Sequence, residues 1–247
     1  MPFTRLTDSA SLKYRRAQYH YRCLHREYMR LQSRNLRLGP QRHEIRAGEG
    51  TMIEPRIQPD AHWGVLIGDC LQNLRAALDH AAFQLATEPT RSSEADNITF
   101  PIFDDAKKFE AWKKKQAWIS AIDPQAVSII DSLQPSGTLA SHEHILWMLY
   151  RLSNIDKHRT VHIAALGIGQ IASSHPFVIQ REDRETGTVV IASTLDAANP
   201  NIHLQMTIEV IFTEGVDIAQ LPVFPTLNRI GRMVSDAMNR LRPYMAK

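Results

Sequence analysis

Among the places where an arginine precedes a histidine by a few residues, two lie within otherwise apolar helical stretches: Arg75 and His80 in RAALDH, and Arg151 and His158 in RLSNIDKH. An imidazole takes or gives a proton near neutral pH, and a guanidinium stabilises charge developing on phosphate. Each pair therefore holds the minimum for metal-free phosphodiester cleavage, and these four residues are the candidate catalytic set. Asp69, Asn73 and Asp79 near the first pair, and Asn154, Asp156, Lys157 and Arg159 near the second, are candidate binding and supporting residues. Asp69, Asp79, His80, Asp156 and His158 are also the residue types that suit zinc, iron or manganese. No HExxH or Glu-x-x-His spacing occurs, so no metal is assigned to them. The competing readings are a non-catalytic interaction or ligand-binding protein in which these groups form a hydrogen-bonded polar network that fixes helix register, and, third, a metal-dependent hydrolase.

Helical periodicity decides how these groups share faces. At 100° per residue Arg75 and His80 fall about 140° apart, whereas Arg151 and His158 are almost aligned. Asp69, Asn73, His80 and Gln84 form one strip, with Arg75 and Asp79 on another side. His144, Arg151 and His158 drift by only about 20° per step, with Trp147 and Asn154 beside them. If the two helices are neighbours, the strips meet in one polar seam.

Charge is concentrated at the start. Residues 1–46 hold eleven Lys/Arg against three acids, net +8, which leaves −5 for the remainder of a chain of formal charge +3. Arg22, Arg26, Arg30 and Arg34 recur every fourth residue as a stripe suited to phosphate oxygens, a candidate nucleic-acid contact; a solvated helix face is the alternative. No Walker-type GK[ST] or phosphate-cradling glycine loop occurs, and no cofactor is expected. His142 and His144 flank Glu143 but point about 160° apart on a helix, which suits a helix start better than a metal. Two cysteines, Cys23 and Cys70, provide no disulfide framework, and Cys70 reads as a small buried hydrophobe. MPFTRLTDSA lacks a signal peptide's apolar run, and no stretch is long enough for a membrane span; the cytoplasm is the expected location.

The elements that must position these residues follow from the same periodicity. A helix is predicted from about Asp8 to Leu38, with Tyr14, Tyr21, Tyr28, Ala17, Leu24, Leu31 and Leu38 on one face as core or dimer seam, ended by Gly39-Pro40. Residues 41–60 read as a connecting excursion with a short hairpin. His62 to about Thr87 forms a second helix that buries Leu66, Ile67, Leu71, Leu74, Leu78, Ala81 and Leu85. After a polar loop over 88–103 come helices over Asp104–Ala117 and Pro124–Leu133. Another runs from a Ser141 cap to about Asp156, with Ile145, Met148, Leu149, Leu152 and Ile155 inward. TVHIAAL, HPFVIQ, GTVVIAS and NIHLQMTIEVIF read as an antiparallel meander with a hairpin turn at Thr186-Gly187. Thr226 caps a last helix with Leu227, Ile230, Val234, Ala237 and Leu241 in one stripe. The predicted class is α+β, one domain over 1–247: a mainly helical bundle over 1–158, antiparallel strands over 159–214 and a C-terminal helix over 225–245.

The blocks GDCLQNLRAALDH and LYRLSNIDKHR, with FPIF and LQP between them, resemble a group of uncharacterised bacterial proteins over about residues 65–160. Both Arg/His pairs also resemble the Arg-x4-6-His pattern of the HEPN superfamily. That resemblance implies a helical bundle, a metal-independent endoribonuclease or RNA-binding protein of a toxin or defence system, and a homodimer that brings two Arg/His pairs together.

Overall fold

The computed structural model describes residues 7–38, 41–46, 50–54, 60–137, 144–159, 161, 163–166, 177–183, 188–193, 209–213 and 218–245. Ser141, His142, Glu143, Gly39-Pro40 and Thr186-Gly187 lie outside them.

Helix α1 spans Thr7–Leu38. It buries Ala10, Ala17 and Leu24, spaced by whole heptads, as the apolar stripe requires. Helix α2 covers His62–Leu85, with Asp60 Oδ1 accepting from the His62 amide at its start. Every residue expected on its core face is buried. Within the stretch expected as a polar loop, Glu88–Glu94 forms a short helix α3, with Pro89 in its first turn, where a missing amide hydrogen costs nothing.

Asp105 caps α4 (Ala106–Lys113) by accepting from the amides of Lys107 and Lys108. The helix expected to continue to Ala117 breaks there, and α5 is a separate turn over Ala117–Ser120. Asp123 and Pro124 start α6 (Pro124–Ser132). The cap of α7 (Ile145–His158) is His144, whose Nδ1 accepts from the Leu146 amide. Helix α8, Val223–Leu241, begins ahead of Thr226, which lies buried in its first turn instead of capping it. Its expected stripe is buried throughout.

The expected α+β class with an antiparallel meander is overturned. Helix dominates the described residues, and the strands of 159–214 are divided between two sheets instead of forming one meander. Strands β1 (Gln41–Arg46) and β2 (Gly50–Glu54) pair with each other, and β2 pairs with β5 (Thr188–Ser193), which pairs with β4 (Phe177–Asp183). Separately, β3 (Ile163–Leu166) pairs antiparallel with β6 (Glu209–Phe212), Ile163 opposite Phe212. Alternating apolar residues specify an extended strand but not a distant partner: the sequence neighbours β1/β2 and β4/β5 pair as expected of hairpins, whereas the pairings of β2 with β5 and of β3 with β6 have no local sign.

The chain divides into two units. One comprises Met1–Arg22, Val65–Val161 and Pro225–Lys247; the other comprises Cys23–Gly64 and His162–Phe224. The first is a helical bundle and contains all the candidate catalytic residues. The second carries the strand pairings. Within it Tyr28 packs on Phe224 at 4.4 Å between ring centres, and the Tyr28 hydroxyl accepts from Gln32 Nε2 at 2.7 Å.

Candidate functional site

The polar strip of α2 finds its partners on α1. Gln84 Nε2 donates to Ser9 Oγ at 2.8 Å, His80 feels the charge of Lys13, and Asp69 Oδ2 lies 3.5 Å from Nδ1 of His20. These pairings descend α2 as they ascend α1, so the two helices run antiparallel. His20 is buried between Ala17 and Leu24 and was not among the residues singled out from the sequence. Its position in the apolar stripe of α1 was the available signal. Burial pushes its pKa below the ordinary imidazole value; Asp69 pulls the other way, and Arg16 adds to the depression. Burial likewise lowers His80, helped by Lys13 and opposed by Asp79. Asn73 spends its amide within the helix, donating to the Asp69 carbonyl at 2.7 Å.

A different face of α2 meets α7. Gln72 Nε2 donates to the Ser153 carbonyl at 2.8 Å and to Asp156 Oδ2 at 3.0 Å. Burial raises the Asp156 pKa, the Gln72 hydrogen bond opposes this, and the charge of Asp69 adds to it. The expected seam thus exists only in part. Asp156 and Asp69 come near each other, whereas His80 faces α1.

Arg75 and Asp79 form a clamp on the FPIF segment. Arg75 Nη2 lies 3.0 Å from Asp79 Oδ1 and donates to the Phe100 carbonyl at 2.6 Å, and the Phe100 amide donates to Asp79 Oδ1 at 2.9 Å. The guanidinium thus holds a backbone segment. No hydrogen bond or ion pair joins Arg75 to His80, or either of them to Arg151 or His158, among the described residues. Arg151 and His158 are exposed on α7, with Arg151 5.6 Å from the centre of the Trp147 ring. Lys157 and Arg159 are exposed, and Asn154 is half-buried. Among the described residues no group of three or more His, Cys, Asp or Glu is placed to hold a metal ion.

A concavity lies elsewhere, between α1 and α8. A cavity of about 250 Å³ is lined by Tyr14, Gln18, Tyr21 and Arg22 of α1 and by Asn228, Gly231 and Arg232 of α8, with Cys70 and Leu74 of α2 at its wall. A second, also about 250 Å³, shares Tyr14 and Gln18 and adds Arg15, Asn239 and Arg242. The lining positions recur every three or four residues on both helices, which places them along one groove. From Ser11 to Arg22 it follows α1 for about 16 Å. No Asp or Glu lines either cavity. None of Arg15, Arg22, Arg232 and Arg242 is in an ion pair among the described residues. Burial pushes the Cys70 thiol up to about 12, with Asp69 adding to it, so the wall is a neutral thiol.

Of the predicted basic stripe, Arg22, Arg26, Arg30 and Arg34 are all exposed, and Arg22 lines the groove. Arg15 stands near the start of that stripe, whereas Arg232 and Arg242 were not predicted, because no local pattern ties the C-terminal helical residues to the first helix.

No family model, curated protein or solved structure matches this chain. Among the described residues no helix is long and apolar enough to cross a membrane.

Proposed function

We propose that this protein binds single-stranded RNA along the groove between α1 and α8. The observation that carries the reading is the lining of that groove: four arginines without ion-pair partners among the described residues, and no carboxylate in the lining. Arginine forks match phosphate oxygens, and the half-buried rings of Tyr14 and Tyr21 offer faces on which bases stack. Counterion release sets the test. Four neutralised phosphates give a salt slope of about −3 in log K against log [salt], at about −0.7 per phosphate for single strands. Fluorescence anisotropy of a labelled single-stranded RNA, titrated over a range of NaCl, reads this slope. The paired substitution Arg22→Glu and Arg232→Glu is expected to abolish binding at moderate salt. Unchanged affinity in that variant overturns the reading.

A second reading, metal-independent endoribonuclease activity in a toxin or defence system, is favoured by the exposure of Arg151 and His158 seven residues apart on α7. His158 would serve as acid or base and Arg151 would hold the phosphate. Digestion of a mixed RNA pool in EDTA, beside His158→Ala and His80→Ala, is its test. Absence of cleavage by folded wild type removes the catalytic step and leaves binding. A homodimer belongs to the same proposal, with Leu12 and Tyr19 of α1, 54% and 51% exposed, as apolar groups a second copy would cover. Monomeric sedimentation at high concentration removes it.

A further inference from the structure

We propose that a second cavity, at the FPIF segment, binds a planar aromatic carboxylate. It measures about 350 Å³, within the size range of small-ligand sites, and belongs to none of the surfaces assigned above. Phe103, Trp112, Trp147 and Tyr150 contribute aromatic surface. Trp112 is braced by Phe109, at 6.1 Å with 18° between the ring planes, and by Phe103 at 5.5 Å. Braced rings present fixed faces, and fixed faces favour a flat ligand that stacks or meets them edge-on.

The polar feature of the wall is Arg75. Its Nε and Nη2 are taken by Asp79, and Nη2 also serves the Phe100 carbonyl. Nη1 is buried with no hydrogen-bond partner. Nη1 is closed off from the cavity, so an anion bound there is drawn by the charge of the guanidinium, which lines the wall, and not by a bond to that nitrogen. Lys108 adds a second cation to the lining, while Asp104 is the carboxylate there. One ring system with one carboxylate satisfies these features: the ring against tryptophan and tyrosine, the carboxylate toward Arg75 and Lys108. Asp104 repels that carboxylate and disfavours ligands of higher negative charge.

The test is isothermal titration of the full chain with naphthoate and with naphthalenemethanol, its neutral counterpart. Naphthoate is expected to bind at least ~10-fold more tightly than the alcohol, the factor that about 1.4 kcal/mol of charge attraction gives. Asp104→Asn is expected to tighten naphthoate about two- to fivefold and Lys108→Gln to weaken it by a similar factor, as expected for exposed charges. Tyr150→Ala, at a residue 41% exposed and therefore tolerant of truncation, is expected to weaken both probes. No heat from either probe with folded protein overturns the proposal. Equal affinity for acid and alcohol overturns the carboxylate assignment, and indifference to Asp104→Asn and Tyr150→Ala together shows binding elsewhere. Naphthoate affinity is expected to persist in the Arg22→Glu, Arg232→Glu variant, so the outcome is independent of the RNA reading.

Discussion

The carboxylate of Asp156 on α7 occupies the space that a Cβ would need at Gly68 on α2. Gln72 fixes that carboxylate from one turn further along α2, so a hydrogen bond and a missing side chain together set how closely the two helices pack. Gly68→Ala should gain about 1 kcal/mol of helix propensity but force the carboxylate aside, at a cost of about 1–3 kcal/mol for an overpacked site. The expected result in urea denaturation is a net loss. In an Asp156→Ala background the clash is gone, Gln72 keeps its bond to the Ser153 carbonyl, and the same substitution should stabilise. An identical effect in both backgrounds would show that Asp156 does not set this approach.

Arg75 carries a structural task that its resemblance to a catalytic arginine would not suggest. With Asp79 it satisfies both the carbonyl and the amide of Phe100, a buried residue outside any helix. Asp79→Ala leaves the part-buried guanidinium without its counter-charge and the Phe100 amide without an acceptor, and should cost about 2–3 kcal/mol in unfolding free energy. Arg151→Ala and His158→Ala, at exposed positions, should stay within about 0.5 kcal/mol of wild type. A stability unaffected by Asp79→Ala would remove the clamp and restore Arg75 as a free functional group.

How much of this was legible depends on whether a feature is local. The core faces of α2, α7 and α8 were readable because burial repeats at the helical period, and Leu71, Leu149 and Val234 fall where that period puts them. The α2 polar strip was legible too, but its partner was not. Periodicity gives a face, whereas the neighbour it meets, α1 for His80 and Gln84, is set by packing of the whole bundle. His20 escaped notice because a lone histidine in a stripe of alanine and leucine has no local sign of its acid, which lies on another helix. Strand pairing was legible between sequence neighbours, β1 with β2 and β4 with β5, but not at a distance: β2 joins β5 across more than a hundred residues, and nothing in either segment names the other.

The contact between His20 and Asp69 has a direction in pH. His20 is held below the ordinary imidazole value of 6.5, by burial first, so the unfolded chain takes up its proton before the folded one does. Its contribution to stability is complete above that value and is lost as pH falls from it toward the lowered folded pKa. His80 and His144, both lowered chiefly by burial, act in the same sense. Denaturation midpoints should therefore drop between neutral and mildly acidic pH, and His20→Gln should flatten part of that drop. Asp69→Asn removes the one attraction opposing burial and should enlarge it. A profile that His20→Gln leaves unaltered would mean that His20 titrates alike folded and unfolded.

Gly231 separates the space of the groove from its charge. It stands in the middle of α8, where glycine costs about 1 kcal/mol relative to alanine, yet a Cβ there would meet nothing within 4 Å. Packing does not demand the glycine; the open cavity it borders, beside Tyr14, Tyr21 and Arg232, is what a larger residue would fill. Gly231→Ala should raise the unfolding free energy by about 0.5–1 kcal/mol and leave RNA affinity near wild type, since one methyl takes little of the cavity. Gly231→Leu should also fold stably but reduce affinity with an unchanged salt slope, because the arginines remain while room for a base is lost. Anisotropy and denaturation on the same preparations read both quantities. If leucine binds RNA as well as glycine does, the phosphates lie along the rim and no base enters; if the salt slope falls with it, the substitution has displaced Arg232 instead of filling space.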